Sequence, residues 1–104
     1  MADEPQIVLV TMAFEASDAD RLLAVLANYV VLSRGHHGCI NIDLTVSVTT
    51  PNRFVVIQKW ASSEDQRRHF DSADMVAMAT ACDGLLASPP AFDLLDGLSA
   101  HDLR

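Results

Sequence analysis

The chain has 104 residues, half of them hydrophobic, and a formal net charge of -7. This length is typical of one domain, and the apolar content is sufficient for a core. Fourteen carboxylates against seven Lys and Arg leave no basic surface for phosphates, which argues against nucleic acid and anionic membranes as partners. We expect a single domain over 1–104, with its core at 7–96 and a polar C-terminal tail at 97–104.

The N-terminal sequence and the cysteines favour a cytoplasmic protein. The first residues, MADEP, lack the basic region and apolar stretch of a secretory signal. The apolar runs are too short to cross a bilayer. Cys39 and Cys82 form no C-x-x-C motif and are expected to be reduced thiols.

The first half of the chain predicts a strand followed by a helix. The run IVLVTMAF (7–14) is continuously apolar, as in a central strand covered on both faces. Ser17 is the predicted N-cap of the helix, with Asp20 as the acidic partner of a capping box. Apolar residues then recur with the spacing of one helix face: Leu22, Val25, Leu26 and Tyr29. The glycine-containing loop SRGHHGC ends the helix.

A β-hairpin is predicted next. From 40 to 48, apolar residues alternate with polar ones, which include Asn41 and Asp43, so the strand has one apolar and one polar face. TTPN (49–52) is a turn, and RFVVIQKW (53–60) returns as the partner strand, which ends at Trp60.

The remainder predicts helical segments and a last strand. Ser62 caps a helix, with an acidic residue, Asp65, three positions later. The pattern is interrupted near Ser72, where a new segment begins. Its apolar stripe comprises Met75, Met78, Ala79 and Cys82. A stiff ASPP loop precedes AFDLL, a short candidate strand.

The order β-α-β-β-α-β predicts an α+β, ferredoxin-like fold. Its two right-handed crossovers give a four-stranded antiparallel sheet with both helices on one face. The opposite face of the sheet then has no cover, although its strands are too apolar for water. We therefore expect a homodimer that packs sheet against sheet.

Trp60 and His69 are the first candidate site residues. Trp60 is either core packing or the wall of a cavity on which a flat aromatic ligand stacks. His69 is either a surface or interface histidine, or a proton acceptor, since an imidazole titrates near neutral pH. The sequence does not fix the direction of either side chain.

Asn41 and the pair His36–His37 complete the candidates. Asn41 belongs to the wet face of its strand unless a cavity opens above it, where it would orient a hydroxyl group. Adjacent histidines in a turn do not converge on a metal, and no other ligand stands at a recognisable spacing. We therefore predict no metal. The chain also lacks a dinucleotide fingerprint, a P-loop and a G-x-S-x-G elbow.

Two segments and a short loop resemble one known family. In SRGHHGCINIDL, a Ser-Arg helix end leads through a loop to Gly-Cys and an alternating strand. In FVVIQKWASSEDQRRHFDSADM, an apolar strand ends in Trp, and a His follows nine residues later. With SPP before the last strand, the chain over about 7–96 resembles the antibiotic biosynthesis monooxygenase (ABM) family of dimeric α/β barrels.

The resemblance implies a homodimer with a pocket in each subunit between helices and sheet. Members oxidise fused-ring phenols or quinols with molecular oxygen and without flavin or metal. It implies no cofactor, a small aromatic substrate, His69 as the base, Trp60 as a stacking wall and Asn41 as a hydrogen-bonding group. A base removes the phenolic proton, and the anion passes an electron to oxygen inside an apolar cage.

The sequence also departs from two branches of that family. The quinone-forming branch has Asn and Tyr where this chain has Val56 and Gln66, so its substrate does not transfer. The heme-degrading branch has an iron-ligating His where this chain has Ala79, which argues against heme degradation. Two alternatives stay open: a non-catalytic dimeric module that binds or carries a small apolar molecule, and a purely structural dimer without a ligand-sized cavity.

Overall fold

The computed structural model describes residues 6–99 as one antiparallel sheet with helices packed on it. The strands are β1 (Val8–Glu15), β2 (Cys39–Val46), β3 (Arg53–Trp60) and β4 (Ala91–Asp96). The helices are α1 (Ala19–Ser33), α2 (Ser63–Phe70) and α3 (Ala73–Ala81). The strand order β2-β3-β1-β4 confirms the predicted ferredoxin-like α+β fold. The predicted tail at 97–104 lies outside the described residues from 100 onward.

β1 occupies the centre of the sheet and separates two faces. It pairs with β3 on one side and with β4 on the other, as a central strand does. Alternate side chains of β1 and β3, such as Met12 and Val56, are buried with those of α1 and α3 in one core. The other face lacks such cover within one chain, and Ile57 and Leu95 are 39% and 41% exposed there.

The N-cap of α1 is Asp18, so the prediction of Ser17 is wrong. The Asp18 side chain accepts a hydrogen bond from the backbone N–H of Arg21 at 3.2 Å. The Ser17 side chain is engaged elsewhere, because its hydroxyl donates to the carbonyl of Gly84 at 3.5 Å. A tertiary contact thus decides between two adjacent residues that both suit a cap.

The two predicted caps in the second half are confirmed. Ser62 accepts a hydrogen bond from the N–H of Asp65 at 3.1 Å, and Ser72 accepts one from Met75 at 3.2 Å. The break between them divides the segment into α2 and α3. In the predicted apolar stripe of α3, Met75, Met78 and Cys82 are buried, whereas Ala79 is exposed. None of the helices in residues 6–99 has the length and apolar character needed to cross a membrane.

β2 keeps the predicted alternation only in its middle. A register shift between Cys39 and Asn41 interrupts the pairing with β3 at its start. Ile42 is buried on the helix side, but Ile40 is 36% exposed. The strand ends at Val46, so Val48 lies beyond the sheet and is 97% exposed.

Gly38 allows the loop after α1 to approach the start of α2. Its φ of +82° lies in the left-handed region, and a Cβ here would overlap the Asp65 side chain. Its carbonyl accepts a hydrogen bond from the N–H of Ala61 at 2.8 Å. Gly84 has a similar φ of +80°, but a Cβ added there would have no atom of residues 6–99 within 4 Å to obstruct it.

Candidate active site

A cavity of about 290 Å³ lies between the helix side of the sheet and α2 and α3. Its volume is at the low end of the range for small-molecule pockets. Most of its wall surface is apolar, and half of its lining residues are apolar: Val10, Met12, Phe70, Met75, Phe92 and Leu94. Its polar residues are Tyr29, Gln58, Gln66, Arg67, His69 and Asp93.

A chain of buried hydrogen bonds begins behind this cavity at Trp60. The indole N–H of Trp60 donates to Gln58 Oε1 at 2.8 Å, which fixes the orientation of the Gln58 amide. Gln58 Nε2 then donates to the hydroxyl oxygen of Tyr29 at 2.8 Å. All three side chains are at most 2% exposed. The Tyr29 oxygen therefore receives a hydrogen bond from one side and has its own proton to donate.

The chain continues from Tyr29 through two histidines. The Tyr29 hydroxyl lies 2.6 Å from His69 Nε2, and His69 Nδ1 lies 2.8 Å from His36 Nδ1. His36 Nε2 lies 2.8 Å from a carboxylate oxygen of Asp74. The five residues Gln58, Tyr29, His69, His36 and Asp74 thus form a continuous path from the core to the surface.

The Asp74 carboxylate is the starting point for assigning the tautomers of both histidines. A carboxylate only accepts, so His36 Nε2 carries a proton and donates it to Asp74. With one proton on His36, its Nδ1 accepts from His69 Nδ1, and His69 Nε2 is left to accept from Tyr29. In this assignment every hydrogen bond runs in one direction, from Trp60 to Asp74.

Burial keeps the two central groups of the chain neutral. The pKa of His69 is lowered from 6.5 to about 4, mainly by desolvation and also by the nearby His36, while Asp74 opposes the shift. The pKa of Tyr29 is raised to about 12, mainly by desolvation, with the Gln58 hydrogen bond acting in the opposite direction. At neutral pH, His69 is thus an unprotonated base and Tyr29 is a protonated hydroxyl.

His69 and Trp60 are brought together, but only His69 lines the cavity. Their rings stack with centroids 4.6 Å apart and an interplanar angle of 28°. His69 is 3% exposed and Trp60 is fully buried, without a place among the cavity walls. Trp60 therefore supports the back of the His69 ring, and its face is not offered to a ligand.

Asn41 is not brought to this site. In the pairing with β3 it stands opposite Lys59, and this register places it on the sheet face away from the helices. It is exposed, and its amide nitrogen donates to Asp43 at 3.0 Å. Within one chain, Asn41 does not contact the cavity. By contrast Gln66, at the position of the Tyr of the quinone-forming branch, does line it.

The histidine pair separates into two different environments. His36 joins the buried hydrogen-bond chain, whereas the His37 side chain is 82% exposed and lies 3.8 Å from Asp65. Residues 6–99 contain no group of three or more His, Cys, Asp or Glu side chains placed to hold a metal ion.

Comparison with known proteins assigns the chain to a family. The model of the antibiotic biosynthesis monooxygenase (ABM) family matches residues 5–81, most of the chain. The chain belongs to the ABM family. A search of the curated proteins found no match.

Solved structures share the ABM-family fold. NE2512, a protein of unknown function from Nitrosomonas europaea, is 20% identical with a TM-score of 0.82, and the match covers 92% of this chain and 93% of that one. Rv0793 from Mycobacterium tuberculosis is 25% identical with a TM-score of 0.79, covering 86% and 92%. SnoaB, a cofactor-independent oxygenase from Streptomyces nogalater, is 19% identical with a TM-score of 0.77, covering 86% and 91%. At these identities the structures establish the fold of this ABM protein.

Sequence reasoning missed four residues of the hydrogen-bond chain: Tyr29, Gln58, His36 and Asp74. Gln58 carried a signal, because it is a polar residue at an inward position of β3, between Val56 and Trp60. A buried amide there requires polar partners. Tyr29 was counted only as part of an apolar helix face. Nothing local in the sequence connects His36 with Asp74, which stands 38 positions later.

The arrangement places an unprotonated imidazole at the wall of an apolar space. Both His69 nitrogens are occupied, Nε2 by Tyr29 and Nδ1 by His36. Tyr29 lines the cavity and donates to His69, so a ligand hydroxyl would reach the imidazole only through the Tyr29 oxygen. That oxygen already accepts from Gln58, and a ligand would compete with the neighbouring Ser33 for its second lone pair.

Proposed function

We propose that this ABM-family protein is a cofactor-independent monooxygenase that oxidises a small aromatic phenol or quinol with molecular oxygen. The observation that carries the proposal is the neutral His69, held in a directional hydrogen-bond chain at the wall of an apolar cavity. SnoaB, which has the same fold, is a cofactor-independent oxygenase and supports this proposal.

In the proposed reaction, His69 is the base and acts through Tyr29. The substrate hydroxyl gives its proton to the Tyr29 oxygen as the Tyr29 proton passes to His69 Nε2. Tyr29 thus stays protonated overall, in keeping with its raised pKa. The substrate becomes an electron-rich anion in a cavity whose walls are mostly apolar.

The oxidation itself takes place between the anion and oxygen. The anion transfers electrons to O₂; one oxygen atom enters the ring system, and the other leaves as water with two hydrogens from the substrate. The protein deprotonates and orients the substrate and excludes water, tasks that require few groups. Trp60 is a positioning residue here, since it stacks on His69 and lies outside the cavity. Asn41 has no part within the same subunit.

We also propose a homodimer in which the sheet faces without helices pack together. Ile57 and Leu95 project from this face and are partly exposed in a single chain. Covering them removes apolar surface from water, the main driving force for association. A cytoplasmic location stays a prediction.

A second candidate function is a carrier that binds a small apolar molecule without reaction. It is favoured by the complete internal pairing of His69, which leaves neither ring nitrogen free for a ligand. A purely structural dimer is less consistent with the structure, because that hypothesis predicts no ligand-sized cavity between helices and sheet, and one of about 290 Å³ is present.

Oxygen uptake by metal-free protein distinguishes the two functions. The substrates are a panel of hydroxyanthrones and naphthoquinols, tested with the wild type, His69→Gln and His37→Gln. Loss of a general base commonly costs a factor of about 100 or more, so we expect His69→Gln to lose at least that much turnover. His37→Gln is the matched control and should retain the wild-type rate, because the His37 side chain is 82% exposed and does not line the cavity.

Two outcomes would contradict the proposal. Turnover of His69→Gln at the wild-type rate would remove His69 from the role of base. No uptake above the spontaneous rate across the panel, together with saturable binding in the cavity, would establish the carrier instead.

A further inference from the structure

We propose that His36 and Asp74 form the outer half of a proton path that links the cavity to a different surface of the protein. This inference rests on the proposed function, in which His69 receives the substrate proton. His36 and Asp74 touch neither the cavity nor its contents, so they act through His69.

The hydrogen bonds give the path a complete proton balance. When His69 Nε2 receives a proton from Tyr29, its Nδ1 proton moves to His36 Nδ1 over 2.8 Å. The Nε2 proton of His36 then moves to the Asp74 carboxylate over 2.8 Å. Each imidazole gains one proton and loses one, so neither stays charged. The net change is one proton delivered to the Asp74 carboxylate, which releases it to water, while the proton of each imidazole moves to its other ring nitrogen and must move back before the next transfer.

The exposure of these side chains rises along the path. His69 is 3% exposed, whereas the His36 and Asp74 side chains are 23% and 34% exposed. Asp74 thus gives the relay contact with solvent, while its inner end at Tyr29 is 2% exposed.

The path also ends away from the cavity. Asp74 lines a separate depression between α1 and α3, together with Val25, Asn28 and Met78. Among residues 6–99, Tyr29 is the one that lines both spaces. A substrate that fills the cavity would therefore not obstruct the exit of its proton.

If His36 served only to orient the His69 ring, one hydrogen-bond acceptor would be enough. A single acceptor for His69 Nδ1–H, such as a backbone carbonyl, would hold that ring in place. Here the acceptor is itself titratable and bonded to a carboxylate, so the proton has a further step available. The titratable groups that act on the pKa of His69 are His36 and Asp74, and those that act on the pKa of Tyr29 are Cys39 and Asp74.

Proton exchange measured by NMR tests the path without any substrate. In the wild type we expect His69 to carry its proton on Nδ1 and His36 on Nε2, as read from long-range ¹H–¹⁵N spectra. His36→Gln and Asp74→Asn keep polar partners but cannot relay a proton. Because proton transfer by a positioned group commonly contributes a factor of about 100, exchange of the His69 Nδ1 proton with water should slow at least about tenfold in both variants. Asp83→Asn, an exposed change just after α3, is the control and should leave exchange unchanged.

The outcomes separate this inference from the proposed function. A His69 proton on Nε2, or exchange as fast in both variants as in the wild type, would overturn the path whether or not the protein consumes oxygen. If the wild type consumes oxygen, Asp74→Asn should lower kcat at least about tenfold, leave substrate affinity unchanged, and recover with added imidazole. An inactive wild type with slowed exchange in both variants would reject the monooxygenase and retain the path.

Discussion

We expect mild acid to destabilise this protein through His69, because the folded chain holds that imidazole in its neutral form. The ring is 3% exposed, accepts a hydrogen bond from Tyr29 and donates one to His36. Protonation would place a charge in the core. It would also turn His69 Nε2 into a donor, so that this nitrogen no longer accepts the hydrogen bond from Tyr29. In the unfolded chain the same imidazole is free to take up a proton.

The size of the effect follows from the two pKa values. The pKa of His69 is about 4 in the folded chain against an ordinary value of 6.5, so the unfolded chain binds the proton first as the pH falls. The contribution of neutral His69 is therefore complete above pH ~6.5 and is lost progressively towards pH ~4. Since one pKa unit corresponds to about 1.36 kcal/mol, the whole loss is about 3 kcal/mol, of which about 2 kcal/mol falls between pH ~7 and pH ~5.

Urea unfolding at the two pH values measures this loss. All samples are measured at the same protein concentration, because the contribution of any dimerisation to the free energy of unfolding depends on concentration. His69→Gln removes the titrating group, so its free energy of unfolding should change between the two pH values by about 2 kcal/mol less than that of the wild type. His37→Gln is the control, because its side chain is 82% exposed and should leave the pH dependence unchanged.

The test compares how much the free energy of unfolding changes between the two pH values in each protein. The absolute stability of each variant does not affect this comparison. If the wild type and His69→Gln lose the same free energy between pH ~7 and pH ~5, His69 is not held neutral by the fold. The tautomers assigned along the hydrogen-bond chain would then be wrong as well.

Further predictions concern the loop glycines, the buried amide and the bare sheet face. Gly84→Ala should lower the free energy of unfolding by about 1–2 kcal/mol, because an L-residue is strained in the left-handed backbone region. Gly38→Ala should lower it further in thermal or urea unfolding, because the added Cβ also overlaps the Asp65 side chain. Gln58→Leu should cost about 1–3 kcal/mol by leaving the Trp60 N–H without an acceptor, and should cost less in a Trp60→Phe background. If the protein is the proposed dimer, Ile57→Lys should convert it to a monomer in light scattering, since the change places a charge in the proposed interface.

Each of these predictions has a contrary result. If Gly38→Ala and Gly84→Ala lower the free energy of unfolding equally, the loop after α1 can move enough to remove the predicted overlap with Asp65. Additive effects of Gln58→Leu and Trp60→Phe would show that the indole and the amide are not coupled. A dimer that persists with Ile57→Lys would place the interface on another surface.

Periodicity and local capping signals were sufficient to predict most of the fold. The alternation ending at Trp60 and the turn before it defined the hairpin, and Ser62 and Ser72 marked their helices. The choice between Ser17 and Asp18 depended on a contact of the Ser17 hydroxyl with the carbonyl of Gly84, far along the chain, which no local pattern contains.

The site was only partly predictable for the same reason. The spacing of Trp60 and His69 indicated that they are near each other, but stacking places the indole behind the imidazole and out of the cavity. The position of Asn41 followed from the pattern itself: with helices on one side, the polar face of β2 turns away from them. The histidine path joins residues from separate elements, and only the folded structure brings them together.

An anaerobic titration tests the central claim most directly, with an aromatic phenol that the protein binds. The anion of such a compound absorbs at a longer wavelength than the neutral form. We predict that the wild type generates the anion without oxygen, that His69→Gln binds the compound in its neutral form, and that admitting oxygen to the wild type consumes the anion with one O₂ per molecule. A neutral compound bound to the wild type, unchanged when oxygen is admitted, would contradict the account.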